Sequence, residues 1–175
     1  ARKLIFSTIG LADWLADSRG WPTGETGASG VLEASVLLAD GTAEALGPFG
    51  AADVRPLRSA TVQRLVPALF QLAGGQDAAA CLAQPAWPAR YRLDALQPRE
   101  PAGVNLAHLL LGHDGALAWV ESVLLAPAAA PPPAASGSAP AEAARLDARV
   151  RALFDPDGVL AARAGSGAVG AKGRE

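Results

Sequence analysis

Two histidines, two arginines and a pair of glycines between residues 90 and 115 carry most of the chemical potential of this chain. His108 precedes His113 by one helical turn and a residue, and Asp114 follows His113 directly. Metal binding or triad catalysis would need a third ligand or a nucleophile in matching context, and neighbours in sequence need not face one another. The histidines are therefore read as structural or solvated, with no metal. Gly112 and Gly115 bracket His113-Asp114. Without a Cβ, main chain at such positions can lie against a flat or charged ligand, and an apolar run after it offers edge amides and carbonyls. Arg90 and Arg92 flank Tyr91 and could hold a carboxylate or phosphate through bidentate contacts. The competing reading is a solvated pair with Asp94 as local partner. Near the start, Ser7, Thr8 and Gly10 stand where a strand end runs into a helix, with Leu11, Trp14 and Leu15 at helical spacing. A helix N-terminus beside a glycine offers free amides to a phosphate; the plainer alternative is an ordinary capped helix.

The elements that must position these groups follow from periodicity and turn chemistry. Residues 18–30 are glycine-rich and turn-rich, which reads as a surface loop or as a segment passing near a ligand. Residues 31–38 and 43–46 are strand-like and flank Asp40-Gly41, a dipeptide that tolerates positive φ in a tight hairpin turn. Over 59–73, Val62, Leu65, Val66, Leu69 and Phe70 follow helical spacing, with Ser59 or Thr61 as cap, Pro67 as a kink and Gly74-Gly75 as the stop. Asn105 caps a short helix before the glycine-bracketed loop, and 117–125 reads as an apolar strand. Residues 126–141 are dominated by Ala and Pro and read as a linker. A second helix follows over 142–154, with Leu146, Val150 and Leu153 on one face and Asp155-Pro156-Asp157-Gly158 as its stop. The predicted fold is α+β: a small, mostly antiparallel sheet with helices on one face, then a Pro/Ala linker and a C-terminal helix. Its divisions are 1–125, the linker at 126–141, a helical segment at 142–162 and a disordered tail at 163–175. That tail holds a formal G-x-G-x-x-G at Gly165, Gly167 and Gly170, rejected as a dinucleotide site because no strand precedes it and no helix follows.

Composition narrows the function classes. With 175 residues, 50% of them apolar and 5% aromatic, one domain with a core of Leu, Val and Ala is expected, with the four tryptophans as its large pieces. A net charge of −2 gives no electrostatic footprint for nucleic acid or an anionic membrane. Cys81 is alone, which excludes an internal disulfide and reads as a small buried hydrophobe. No apolar run reaches the roughly 18 residues needed to span a bilayer, and no charged leader with a cleavage site is evident. A cytoplasmic protein is the expectation. The chain contains no Met, not even at its start, which suggests a fragment or a processed form.

The run Asn105-Leu106-Ala107-His108-Leu109-Leu110-Leu111-Gly112-His113-Asp114-Gly115-Ala116-Leu117-Ala118-Trp119-Val120-Glu121 resembles the "N-L-x-x-L-L-x-G-S-E-G-T-L-A/G-x-V/I-T-E" signature of FAD-linked oxidases. These flavoproteins have the two-part FAD-binding domain of the vanillyl-alcohol oxidase and p-cresol methylhydroxylase (PCMH) type, and many oxidise 2-hydroxy acids such as lactate, glycolate or 2-hydroxyglutarate. Thr8-Ile9-Gly10 is similar to the family's "T-I/V-G-G", the hairpin to its "V-L-A-D-G-T", and 149–160 to its "V-K-x-x-F-D-P-x-G-I/L-L-N-P-G" terminus. The departures are Leu11 for the second glycine, His113 for Ser, Asp114 for Glu, Ala116 for Thr, Ala118 for Gly and the missing "N-P-G". The resemblance implies FAD as cofactor, with Ser7, Thr8, Gly10, Gly112, Asp114, Gly115, Leu117 and Val120 as contacts. It covers the second lobe of the FAD domain and the C-terminal segment. The first lobe and the substrate cap are not recognised, so the implied function is the FAD-binding portion of an oxidoreductase, inactive alone. Its partner would be a complementary subunit or upstream chain. The alternative is a non-catalytic scaffold or subunit associating with a partner chain.

Overall fold

The computed structural model describes Leu15 and residues 21–50, 57–126 and 139–160. Strand β1 (Val31–Leu37) is central, with β2 (Ala43–Leu46) on one side and β3 (Trp119–Leu125) on the other, both antiparallel. The hairpin joining β1 to β2 closes where expected. Gly41 takes φ 81°, its N–H donates to Leu38 O at 2.9 Å, and the Asp40 carboxylate accepts from Thr42 N at 2.9 Å. The same carboxylate accepts from the Thr61 hydroxyl at 2.6 Å, which fastens the turn to the first helix.

Simple alternation fails twice in the β1–β3 pair. Register shifts between Val31 and Glu33 and between Ser35 and Val36 leave Leu32 and Glu121 as extra residues. Each bulge resets the period-2 pattern. As a result Val31, Ala34 and Val36 share the buried face with Val123 and Leu125, while the pairs Leu37–Trp119, Ser35–Ser122 and Glu33–Leu124 lie on the other face.

Helix α1 (Ala60–Ala73) is capped by Ser59, whose hydroxyl accepts from Val62 N at 3.1 Å. It buries Val62, Leu65, Val66, Leu69 and Leu72, and it continues through Pro67. Phe70, expected on that face, is 36% exposed and tilts against the ring of Phe49 at 5.9 Å instead. Gly74-Gly75 ends α1, but only to start a new helix, α2 (Gln76–Leu82), which buries Ala78 and Cys81. Burial pushes the Cys81 thiol up to about 11, so it behaves as an inert apolar group.

Helix α3 (Ala141–Phe154) packs on α1 and α2 through Ala143, Leu146, Val150 and Phe154. The last of these takes the place expected for Leu153, because the buried stripe advances by four residues after Val150 and leaves Leu153 facing outward. The Asp147 carboxylate accepts from Arg90 N at 2.9 Å and from Tyr91 N at 3.0 Å, tying α3 to the segment before the glycine loop. At the end of α3, the Asp155 carboxylate accepts from Val159 N and Leu160 N, both at 2.8 Å. The C-terminal helix thus shares one hydrophobic core with the sheet and the other helices. The architecture is α+β, an antiparallel sheet with helices on one face. No helix among the described residues is long and apolar enough to cross a membrane.

Candidate functional site

The loop at 112–115 is set by what precedes it. Asn105 caps a 3-10 helix (Leu106–Leu110), its carboxamide oxygen accepting from Ala107 N at 2.9 Å while its amide donates to Leu32 O at 3.0 Å. His108 lies buried on this helix. Its Nε2 is 2.9 Å from Val31 O, an atom that only accepts, so Nε2 carries the proton. Nδ1, 3.1 Å from the Thr26 hydroxyl, then accepts. Burial holds the His108 pKa below the usual imidazole value, and both nitrogens are committed to scaffold. This histidine stitches its 3-10 helix to β1 and to a second, shorter 3-10 helix at Thr26–Ser29.

After Leu110 the backbone enters the left-handed region three times in four residues: Gly112 at φ 77°, Asp114 at 53° and Gly115 at 75°. An L residue in that region costs on the order of 1–2 kcal/mol, which glycine avoids and Asp tolerates better than most. Gly112 N donates to Leu15 O at 2.6 Å, and His113 N and Ala116 N close turns onto Leu110 O and His113 O. The amides of Asp114, Gly115, Leu117 and Ala118 find no backbone acceptor among the described residues. Leu117 and Ala118 are nevertheless buried.

His113 is the most unusual side chain of the loop. It is only 4% exposed, and its Nδ1 has no hydrogen-bond partner. Burial without compensation pushes its pKa down to about 4, so the ring is neutral at pH 7. A buried polar atom left unpaired costs roughly 1–3 kcal/mol. Beside it, Asp114 accepts a single hydrogen bond of 3.3 Å from Arg90 Nη1, and the arginine side chain remains 36% exposed.

Arg92 behaves differently from its neighbour Arg90. It is fully buried and pairs with Asp94 through two bonds, Nε to Oδ1 at 2.9 Å and Nη2 to Oδ2 at 2.6 Å. Nη1 donates to Trp21 O at 2.8 Å, Nη2 to Pro22 O at 3.0 Å, and Gly24 N donates to Asp94 Oδ2 at 2.8 Å. The expectation of a solvated arginine is therefore corrected: the planar guanidinium matches the carboxylate fork and is spent on holding the chain at 21–24. The surface-loop reading of that glycine-rich segment is corrected with it, since Trp21, Thr23, Thr26 and Ser29 are buried. The i, i+2 spacing of Arg92 and Asp94 was a signal for their pairing, and their burial depends on the distant segment at 21–24.

Of the sequence-predicted contacts, Gly112, Asp114 and Gly115 come together in one loop. Leu117 gives its side chain wholly to the core, leaving only its main chain for a ligand. Val120 pairs with Val36 and packs partly against the core. Ser7, Thr8 and Gly10, with the helix expected around them, lie outside the described residues, as do linker residues 127–138 and the tail from residue 161. Among the described residues no group of three His, Cys, Asp or Glu side chains is placed to hold a metal ion. No family model, curated protein or solved structure matches the chain.

Proposed function

We propose that this chain is the FAD-binding portion of a flavin-dependent oxidoreductase of the FAD-linked oxidase type, acting on a 2-hydroxy acid only with a complementary chain. The resemblance of residues 105–121 suggests the reading, and one observation supports it most. The loop holds a buried polar atom without a partner, His113 Nδ1, and the buried main chain after it, at Leu117 and Ala118, has amides with no backbone acceptor among the described residues. Protein interiors pair the great majority of such groups, so a ligand with hydrogen-bonding edges is a natural complement. When bound, the flavin would take hydride from the α-carbon of the substrate.

The residues of this chain position and exclude. Gly112 and Gly115 admit close approach of main chain, because a Cβ is absent where φ is positive. Neutral His113 offers an acceptor or a donor without adding charge. Arg90 stands beside the loop as a half-exposed cation that can exchange its single bond to Asp114 for a phosphate. Leu117 and Ala116 close the floor against water.

The test is a titration with FAD, followed by desalting and by the visible and fluorescence spectra of what remains. Wild type is expected to keep quenched flavin and to reduce no dye with lactate, glycolate or 2-hydroxyglutarate. Gly115→Val is expected to lose the flavin while keeping its circular dichroism. A wild-type chain that retains no flavin would remove this reading and leave the second one, a non-catalytic subunit that holds a partner chain. That alternative draws its support from the exposed Trp119 on the sheet.

A further inference from the structure

Asp-Gly occurs at three places in the chain: Asp40-Gly41, Asp114-Gly115 and Asp157-Gly158. A glycine has no Cβ to obstruct its own nitrogen, so its amide can reach the side-chain carboxyl carbon of the Asp before it. The structure restrains the three pairs very differently. At Asp40 both carboxylate oxygens are engaged, Oδ2 by the Thr61 hydroxyl at 2.6 Å and Oδ1 by Thr42 N at 2.9 Å, while Gly41 N donates to Leu38 O at 2.9 Å. Asp114 is held by Arg90 at 3.3 Å, and its pair lies between the buried residues His113 and Ala116. Asp157, Gly158 and Val159 are exposed, and the Asp157 carboxylate forms no hydrogen bond or ion pair among the described residues. A Cβ added at Gly158, where φ is 67°, would meet nothing within 4 Å. Gly158 N reaches only Asp155 O, at 3.3 Å, longer than the usual range of about 2.7–3.2 Å.

We infer that Asp157 is a site of spontaneous covalent modification, converting to isoaspartate ahead of the other two pairs. The Gly158 nitrogen attacks Cγ of the protonated Asp157 carboxyl. A bond from nitrogen to Cγ forms, the carboxyl OH leaves with the amide proton as water, and a five-membered succinimide closes. Water then adds to one of the two ring carbonyls. Opening at Cγ restores Asp; opening at the main-chain carbonyl breaks the original peptide bond, so the chain runs through Cγ and the α-carboxylate becomes the side group. No electrons are exchanged, and the water lost in the first step is regained in the second. The main chain gains one methylene between Asp155 and the two amides its carboxylate binds, Val159 N and Leu160 N, both at 2.8 Å. Conversion therefore detaches the chain beyond α3 from its cap. The inference stands apart from the flavin reading, since none of these residues belongs to the glycine loop.

The experiment incubates the full chain at about pH 6, where a fraction of the carboxyl is protonated, and follows tryptic peptides by chromatography and mass spectrometry. The three pairs fall in separate peptides, 20–58, 100–145 and 152–163. Peptide 152–163 is expected to split into two species of equal mass through an intermediate lighter by one water. Peptide 20–58 should do so more than about tenfold more slowly, because the bonds to the Asp40 carboxylate and from Gly41 N must break first. In urea, where those restraints are gone, the rates should converge. Asp157→Glu should abolish the split, since its ring would have six members, and should leave the circular dichroism unchanged because the position is exposed. In the converted chain the amides of Val159 and Leu160 should exchange about tenfold faster. Asp40 or Asp114 converting first in the folded chain overturns the inference. So does the same spread of rates in urea, which would make the order a property of the sequence alone, or unchanged exchange at Val159 and Leu160 after conversion.

Discussion

Two polar regions lie within about twenty-five residues of each other in sequence, and they treat buried hydrogen-bonding groups in opposite ways. At Arg92–Asp94 a fully buried ion pair is surrounded by its own acceptors and donors, reaching Trp21 O, Pro22 O and Gly24 N. At 112–118 the buried His113 Nδ1 is left without a partner and the backbone enters the left-handed region three times, at Gly112, Asp114 and Gly115. Both regions are rich in chemistry-bearing residues; the ion pair spends its own groups on the scaffold, although the nearby Trp21 Nε1 is also buried without a partner, whereas in the second region the titratable His113 itself keeps capacity to spare. A closed network fixes a fold; an open one is where binding can be gained.

The largest effect expected from breaking this contrast is at Asp94. Asp94→Ala removes the carboxylate that neutralises the buried Arg92 charge while its bonds to Trp21 O and Pro22 O remain, and should cost about 3–5 kcal/mol in urea denaturation. Replacing both partners by Met and Leu should cost less than the single change, since no charge then stays buried. The open region gives a pH signature instead. His113 has its folded pKa lowered to about 4, below the unfolded value near 6.5. The unfolded chain therefore binds the proton first as pH falls, so stability is full above about pH 6.5 and is lost towards pH 4, by up to about 3 kcal/mol. The lowered pKa of His108 acts in the same direction. His113→Leu should flatten this profile in part and should not destabilise the flavin-free chain at pH 7, because it removes an unpaired atom.

A smaller effect belongs to the loop backbone. Gly112→Ala, at φ 77°, should cost about 1–2 kcal/mol, measured by thermal unfolding. The smallest is Arg90→Ala: its lone contact with Asp114 is half exposed, and the change should stay within about 1 kcal/mol. If Arg90→Ala instead proved as damaging as Asp94→Ala, the distinction between the two regions would collapse.

Local structure was legible wherever the signal was local. The Asp40-Gly41 hairpin, the Ser59 cap and the Asn105 cap each depend on a few adjacent residues, and each forms as read. What escaped depends on partners far apart in the chain. The bulges at Leu32 and Glu121 exist only because two strands must keep their apolar residues on one face. Helix α2 follows Gly74-Gly75 in a stretch too short for a periodic pattern to stand out. Arg92 is buried because the segment at 21–24 folds over it, and nothing near Arg92 in sequence announces that. The glycine loop was identifiable from composition and resemblance. The isolation of His113 Nδ1 was not, since a missing partner is a property of the assembled core.

The way α3 is anchored bears on how this chain can be lengthened. β3 ends at Leu125 and α3 begins at Ala141; β3 is held by its ladder with β1, and α3 by Asp147 and its apolar stripe. For such a connection the entropy of closing the loop grows only with the logarithm of its length, so each doubling costs about 0.6 kcal/mol. Residues 127–138 therefore mark a junction at which extra polypeptide, up to a whole folded unit, could be spliced in at small thermodynamic cost to the core on either side.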